Sequence, residues 1–479
     1  MTPRLSQATL ARRMPGIAAP AYDRGAVAPG IVHFGPGAFA RAHLASYVEA
    51  LLPADPRWGI AGIALRHGAL AADLAAQDFL YVLAELDVPP GFRVVGALKG
   101  YVAAPADRAR ALACLDHPAA RLVTITVSEK GYCLNAAGAL DGAHPDIAHD
   151  LANPSAPVSL IGWLAQGLER RRLAGRTPFV TLSCDNVASN GVKLQGAVLA
   201  YARVLGRGEL ARWIEGEARF PSTMVDSITP ASDAALGERV AGAVGLADSA
   251  PVQRESFAQW VIEDTLGPDM PDLAAVGAQM TSDVHAYEQA KLRLLNGTHS
   301  ALAYLGLLRG HATVGGAMAD AGLAVFVERL MREDIAPTLA GARGLEIAAY
   351  IGALLRRLRN PAVSHRLIQI AADGSLKLPY RFLEPIADLL RLGRPVTRPC
   401  VPVAAWMRFV VAAARRGEPL SDPLAAMLAA VGAGCSGAAA HDVPRFLGLT
   451  EIFPRDLAAE PLVIAAIAAA YDALEAATL

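Results

Sequence analysis

Apolar positions fall into two regimes along the chain. In the first half, short β-branched runs alternate with helical stretches. GIVHFGPG, WGIAGIAL, FRVVGAL, RLVTITVSE and FVTLSCD are rich in Val, Ile, Thr and Phe and are bounded by Gly, Pro or Asp, which predicts strands. Most are apolar without alternation, the pattern of parallel strands buried on both faces. Between them, ARAHLASYVEALL, DRARALACLD and SLIGWLAQGLERRRLAG predict helices. Strand and helix in turn predict an α/β domain with a doubly wound, Rossmann-type sheet.

From about Thr281 the period changes. VFVERLMRE, EIAAYIGALLRRLRN, FLEPIADLLRLG, VPVAAWMRFVVAAARRG and DPLAAMLAAVGAG repeat apolar residues at three and four, and strand runs nearly vanish. The expected division is a dinucleotide-binding domain over 1–282 and a mostly α-helical substrate-binding and catalytic domain over 283–479. A length of 479 residues fits two domains better than one core.

Composition narrows the function. With 53% hydrophobic and 19% charged residues the chain reads as folded. A net charge of -1 gives no reason to expect nucleic acid or an anionic membrane, so a small-molecule site is the remaining option. The five cysteines are scattered without a CxxC, which argues against a disulfide framework or structural zinc and fits a reducing cytoplasm. The N-terminal MTPRLSQATLARRMPG has no apolar core of a secretion signal. No apolar run reaches the ~18 residues needed to span a bilayer.

Two stretches carry candidate chemistry. Gly35-x-Gly37-x-x-Ala40 follows a predicted strand and opens a predicted helix, the GxGxxG/A context of a dinucleotide loop. The first glycine permits the turn, the second leaves room for a pyrophosphate, and the small third residue lets helix and strand pack. At the end of the second strand, where an acid would hold a ribose hydroxyl, stand Arg66 and His67. An arginine there would accept a 2′-phosphate, or simply cap a surface loop, so NAD and NADP both remain open. The second stretch is KLRLLNGTHSALAYLG. At about 100° per residue, Lys291, Asn296 and His299 fall within an arc of roughly 140°. A lysine base must lose a proton of unperturbed pKa ~10.4, which apolar surroundings favour. Asn donates to an oxygen that gains charge, and His bonds a neighbouring hydroxyl. An amphipathic helix with a snorkelling lysine and a satisfied core histidine would carry the same residues. In SCDNVASNG, Asn186 follows a strand's carboxyl end and is placed to be a second oxyanion donor; an Asx turn or cap is the plainer reading, which Asp185 and Asn190 would equally supply.

GPGAFARAH, TITVSEKGYC, SCDNVASNG, FPSTMVDSITP, QWVIED and KLRLLNGTHSALAYLG occur in the order found in the mannitol dehydrogenase family of long-chain polyol and sugar-acid dehydrogenases, which the chain resembles from about residue 20 onward. The resemblance implies a Rossmann-type domain, a helical domain, a cleft between them, no metal, and a monomer or weak homodimer. It implies Lys291 as general acid/base, Asn186 and Asn296 as the oxyanion pocket, His299 and Asp226 on substrate hydroxyls, and Glu288 as a proton-relay gate. Gly35, Gly37 and Phe39 match the cofactor loop. Three features depart from the family: Phe39-Ala40-Arg41 replaces Phe-His-Arg, Ser227 replaces an arginine, and the acid after the second strand is missing.

SEKGYC, with Lys130, resembles the TEKGYC of fructuronate reductases more than the TEGGYC of mannitol 2-dehydrogenases. Gln369 stands where the mannitol enzymes carry a substrate-binding arginine, with His365, Arg366 and Lys377 nearby. A sugar-acid carboxylate would pair with such cations, Lys130 and Arg366 foremost; as surface charges they would mean nothing. The expectation is NAD(P)-dependent D-fructuronate/D-mannonate interconversion. A polyol or ketose dehydrogenase acting on mannitol, arabinitol or sorbitol is the alternative, and a non-catalytic nucleotide sensor the more distant one.

Overall fold

The apolar runs of the first half assemble into a parallel sheet in the computed structural model, which describes residues 2–66, 68–339 and 344–476. His67 lies outside the described residues. Two units result, Met1–His285 and Ala286–Leu479. The strands of the first are β1 (Ile31–Phe34), β2 (Ile60–Ala64), β3 (Tyr81–Leu86), β4 (Gly91–Val95), β5 (Leu98–Ala103), β6 (Leu122–Ile125), β7 (Val180–Ser183), β8 (Thr223–Asp226), β9 (Val252–Glu255), β10 (Gln259–Glu263) and β11 (Gln279–Thr281). The main sheet has the order β5-β2-β1-β6-β7, and every pairing in it is parallel. Every residue of β1, β2, β6 and β7 is buried, which is why these runs carry no polar alternation. Strand order reverses between β1 and β6. In open parallel sheets that reversal opens a crevice at the carboxyl ends, where ligands bind.

FRVVGAL is not one strand. The chain breaks at Gly96, so β4 pairs antiparallel with β3 in a sheet ordered β4-β3-β9, while β5 joins the main sheet. A Cβ at Gly96 would lie 2.6 Å from Pro20 Cγ and 2.8 Å from Arg24 Nε, so only glycine fits this corner. The third sheet, β11-β10-β8, adds strands that the apolar pattern did not reveal. The expected helix ARAHLASYVEALL is two helices, Ala38–Ala42 and Leu44–Leu51, hinged at His43. The His43 ring is buried and its Nε2 bonds the Gln259 carbonyl of β10 at 2.9 Å.

The second unit is helical among its described residues. Its central element runs without interruption from Val284 to Leu308, but the ladder changes midway: Val284–Ala290 and Gly297–Leu308 are α-helical and Lys291–Asn296 is π-helical. Two further π-helical turns, Leu330–Ile335 and Pro379–Leu383, both pack against the first. Leu294, Leu295, Leu302 and Leu305 bury the same element in the core. The 20-residue helix Thr397–Arg416 packs along it and in turn carries Pro461–Ala476. No helix among the described residues is long and apolar enough to cross a membrane.

Candidate active site

In the first unit, the carboxyl ends of three adjacent strands carry the expected residues. β1 runs into Gly35, whose φ of +84° is a left-handed conformation open to glycine. A Cβ there would also sit 2.1 Å from the Thr126 carbonyl oxygen. At Gly37 a Cβ would meet nothing nearer than the Gly35 carbonyl oxygen at 3.8 Å, so the turn is open to close approach by a ligand. Thr126, just past β6, donates its hydroxyl to the Gly35 carbonyl oxygen at 2.7 Å. With that proton committed, Thr126 Oγ1 accepts from His33 Nε2 at 3.0 Å, which leaves His33 Nδ1 to accept from Thr124 at 2.8 Å. Burial holds the His33 pKa down to about 4, so this brace under the glycine turn is a neutral imidazole at neutral pH. Phe39 stacks on His43 with ring centroids 4.9 Å apart, which ties the loop to β10 through the hinge. Ala40 is buried, and so is Arg41, which donates to the Ala250 carbonyl at 2.5 Å and therefore serves the packing of the helix.

Lys130 and Asn186 follow β6 and β7, and both are exposed in this unit. The loops that carry them are tied together by Asp185, which accepts from the backbone N–H groups of Val127 and Ser128 and from the Tyr132 hydroxyl. Asn190 donates to the carbonyls of Asp185 and Thr223 and accepts from the Thr223 N–H, which fixes β8 beside the loop. Ser189 stands at the N-cap of the helix Asn190–Val204 and its side chain makes no capping bond. Asp226 ends β8 and is buried. Arg66, two residues past β2, forms an ion pair with Asp146. Among the described residues, Cys133, His144 and the same Asp146 bring one potential metal-ligand atom each within 4.8 Å of one another.

In the second unit the π-helical turn changes the expected geometry. An i→i+5 ladder places residues five apart on one face, as the α ladder does for residues four apart. Lys291 and Asn296 therefore share a face instead of spreading over the arc that α geometry gave them. Glu288 sits one turn earlier, and Glu288, Lys291 and Asn296 are half-buried. His299 is buried and stands edge-on to His365 with centroids 5.4 Å apart. Arg381, from the π-helical turn Pro379–Leu383, donates through Nη1 to the Asn296 carbonyl at 3.0 Å and to Ser300 Oγ at 2.8 Å. Burial pushes its pKa down to about 10, so it stays charged at neutral pH. Burial, then the Arg381 charge, lowers the pKa of Lys377. Burial, then the Lys377 charge, lowers that of His365. His365 Nδ1 and Arg381 Nε are buried without a hydrogen-bond partner among the described residues.

Arg381 is a residue the sequence reading missed: inside PYRFLEPI it reads as a wet helix face. Arg366 is exposed, follows His365 in the chain, and lines a cavity of about 640 Å3 with Trp406, Phe409 and Asp422. Gln369 is exposed on the short helix Leu367–Ala371.

The sheet and its glycine turn define a Rossmann-type dinucleotide-binding domain, followed by a mostly helical one. The chain belongs to the mannitol dehydrogenase family: residues 29–273 match the mannitol dehydrogenase Rossmann domain and residues 283–475 the mannitol dehydrogenase C-terminal domain. It is 38% identical over 467 residues to D-mannonate oxidoreductase of Escherichia coli, covering 96% of each chain. It is also 38% identical over 452 residues to a mannitol 2-dehydrogenase of Aspergillus fumigatus, covering 91% of this chain and 89% of the relative. Among solved structures it resembles the ternary complex of Pseudomonas fluorescens mannitol 2-dehydrogenase with NAD and D-mannitol, at 34% identity and a TM-score of 0.82, over 98% of this chain and 97% of that one. The protein is an oxidoreductase of this family.

Proposed function

We propose that the protein transfers a hydride between a nicotinamide dinucleotide and a secondary alcohol of an open-chain sugar acid, with D-fructuronate and D-mannonate as the leading pair. The observation that carries this reading is the shared face of Lys291 and Asn296 on the π-helical turn, with His299 a turn beyond. The open turn at Gly37 fits a pyrophosphate, and Gly35, Gly37, Phe39 and Ala40 would hold the dinucleotide. When bound, the nicotinamide supplies or accepts the hydride. The chain's own groups manage the proton and the charge. Lys291 takes the hydroxyl proton in oxidation and returns it in reduction. Asn296 and Asn186 donate to the oxygen as it gains charge, an interaction worth roughly 3 kcal/mol per donor in comparable sites. His299 and Asp226 bond neighbouring hydroxyls, and Glu288 relays the proton from Lys291 to solvent.

The choice of a sugar acid over a polyol rests on cations. Arg381 and Lys377 place positive charge beside the His299–His365 pair, and Lys130 stands beyond β6. A carboxylate would answer these charges; a neutral polyol would not. The test is NADH oxidation by the purified protein with D-fructuronate and, separately, D-fructose. Turnover of D-fructuronate with a kcat/KM at least roughly 100-fold above that for D-fructose is expected, the worth of about 2.7 kcal/mol of charge recognition. Efficient turnover of D-fructose or D-mannitol would assign the protein to the neutral polyols.

A further inference from the structure

The position just past β2 reads the adenosine ribose in Rossmann-type domains: an acid there bonds the 2′-hydroxyl, and an arginine accommodates a 2′-phosphate. Here the position carries Arg66, which by itself would welcome NADP. The structure gives that arginine a partner from far along the chain. Asp146, in the first turn of the helix Pro145–Ala152, forms an ion pair with the Arg66 guanidinium. Arg66 is mostly exposed, with 62% of its side chain open, whereas Asp146 is largely covered, at 17%. The carboxylate is thus the more covered member of the pair and the arginine the more exposed one. Asp146 also lies where its own negative charge would face any anion that approached Arg66.

We infer that Asp146 sets the dinucleotide preference, by neutralising Arg66 and repelling a 2′-phosphate, so that a position reading as NADP-accepting favours NAD. The inference rests on the cofactor reading above and concerns only the adenosine end of the cofactor. The pair is partly exposed and screened by solvent, so removing the carboxylate charge is expected to change relative affinity by about tenfold at low salt and by less as salt rises. The acid absent after β2 is in this account replaced in charge by one supplied from the first turn of the helix Pro145–Ala152.

The experiment is calorimetric titration of the full chain with NADH and NADPH, and with 5′-ADP and 2′,5′-ADP, at low and at moderate salt. The unsubstituted protein is expected to bind NADH more tightly than NADPH. Asp146→Asn should shift the NADPH-to-NADH affinity ratio toward NADPH by about tenfold, with the same shift for the ADP pair and a smaller one at higher salt. Asp146→Glu, which keeps the charge, should retain the NADH preference. Adding Arg66→Ala to Asp146→Asn should remove most of the gain. A thermal melt identifies any variant that fails to fold, and the Asp146→Glu comparison then decides: loss of NADH preference in a folded Asp146→Glu protein contradicts the inference. An unchanged ratio in Asp146→Asn, with both dinucleotides still bound, overturns the inference and leaves the proposed function standing. Binding of neither dinucleotide by the unsubstituted protein overturns both.

Discussion

Replacing Lys291 with alanine is expected to lower turnover by roughly 10²–10⁴-fold, the contribution of a well-placed general acid/base. NADH affinity and melting temperature should change little. The argument starts from the helix. Lys291 opens a π-helical turn and is half-buried, while the adjacent Leu294 and Leu295 are buried and hold the helix in place. Removing the lysine side chain therefore leaves the core packing intact and deletes the group proposed to exchange a proton with the substrate hydroxyl. The dinucleotide loop lies in the other unit, at Gly35 and Gly37, and no bond of its brace involves Lys291. Small exogenous amines should restore part of the lost activity by occupying the space of the missing side chain. Steady-state kinetics, NADH titration and a thermal melt check the three parts together. Turnover within a few-fold of the unsubstituted enzyme would remove Lys291 from the chemistry.

The second large effect is expected at Arg381, proposed as a positioning residue. A π-helical turn loosens the regular ladder, and the Asn296 carbonyl receives its bond from the Arg381 guanidinium at 3.0 Å. The same Nη1 bonds Ser300 Oγ at 2.8 Å. Arg381→Met keeps much of the buried volume and deletes both bonds. Hydrogen bonds from charged donors are worth about 1.5–3 kcal/mol each, so stability should fall by a few kcal/mol. Displacing a substrate-positioning group by about 1 Å can cost 10²-fold in rate, so kcat should fall by about that factor. KM for NADH should hold, because Arg381 acts through Asn296 and not on the dinucleotide loop. Arg381→Lys keeps the charge without the fork and should recover stability more than kcat. A variant that loses only stability, with kcat preserved at a temperature where it is folded, would reduce Arg381 to a packing role.

Much of the nucleotide-binding sheet was legible because parallel strands buried on both faces must be apolar throughout. β1, β2, β6 and β7 therefore announce themselves. β3 and β8 to β11 were not read, since YVLAEL, TMVD and VQRE mix charged and apolar residues as short strands of smaller sheets do. FRVVGAL misled because nothing in its apolar run shows that Gly96 is crowded by Pro20 and Arg24 from elsewhere in the chain. The glycine turn was legible in its spacing, while its brace, His33 to Thr126 to Gly35, was not: it spans 91 to 93 positions. The π-helical ladder at Lys291 leaves no legible mark in hydrophobic periodicity: one added residue shifts the phase, but Gly297 to Gly306 is buried on every face and offers no stripe in which the shift would show. Arg381 and Asp146 were hidden for a common reason. Each is an ordinary polar residue on a helical stretch, and its importance comes from a partner 85 or 80 positions away.

The most direct test of the central claim follows the hydride itself. NADH carrying deuterium at C4 of the nicotinamide, in either of its two configurations, is incubated with the protein and D-fructuronate, and the product is analysed by mass spectrometry and NMR. The account predicts D-mannonate with one deuterium on the newly formed carbinol carbon, from one of the two labelled cofactors only. Product without label from either, or no product from D-fructuronate at all, would contradict it.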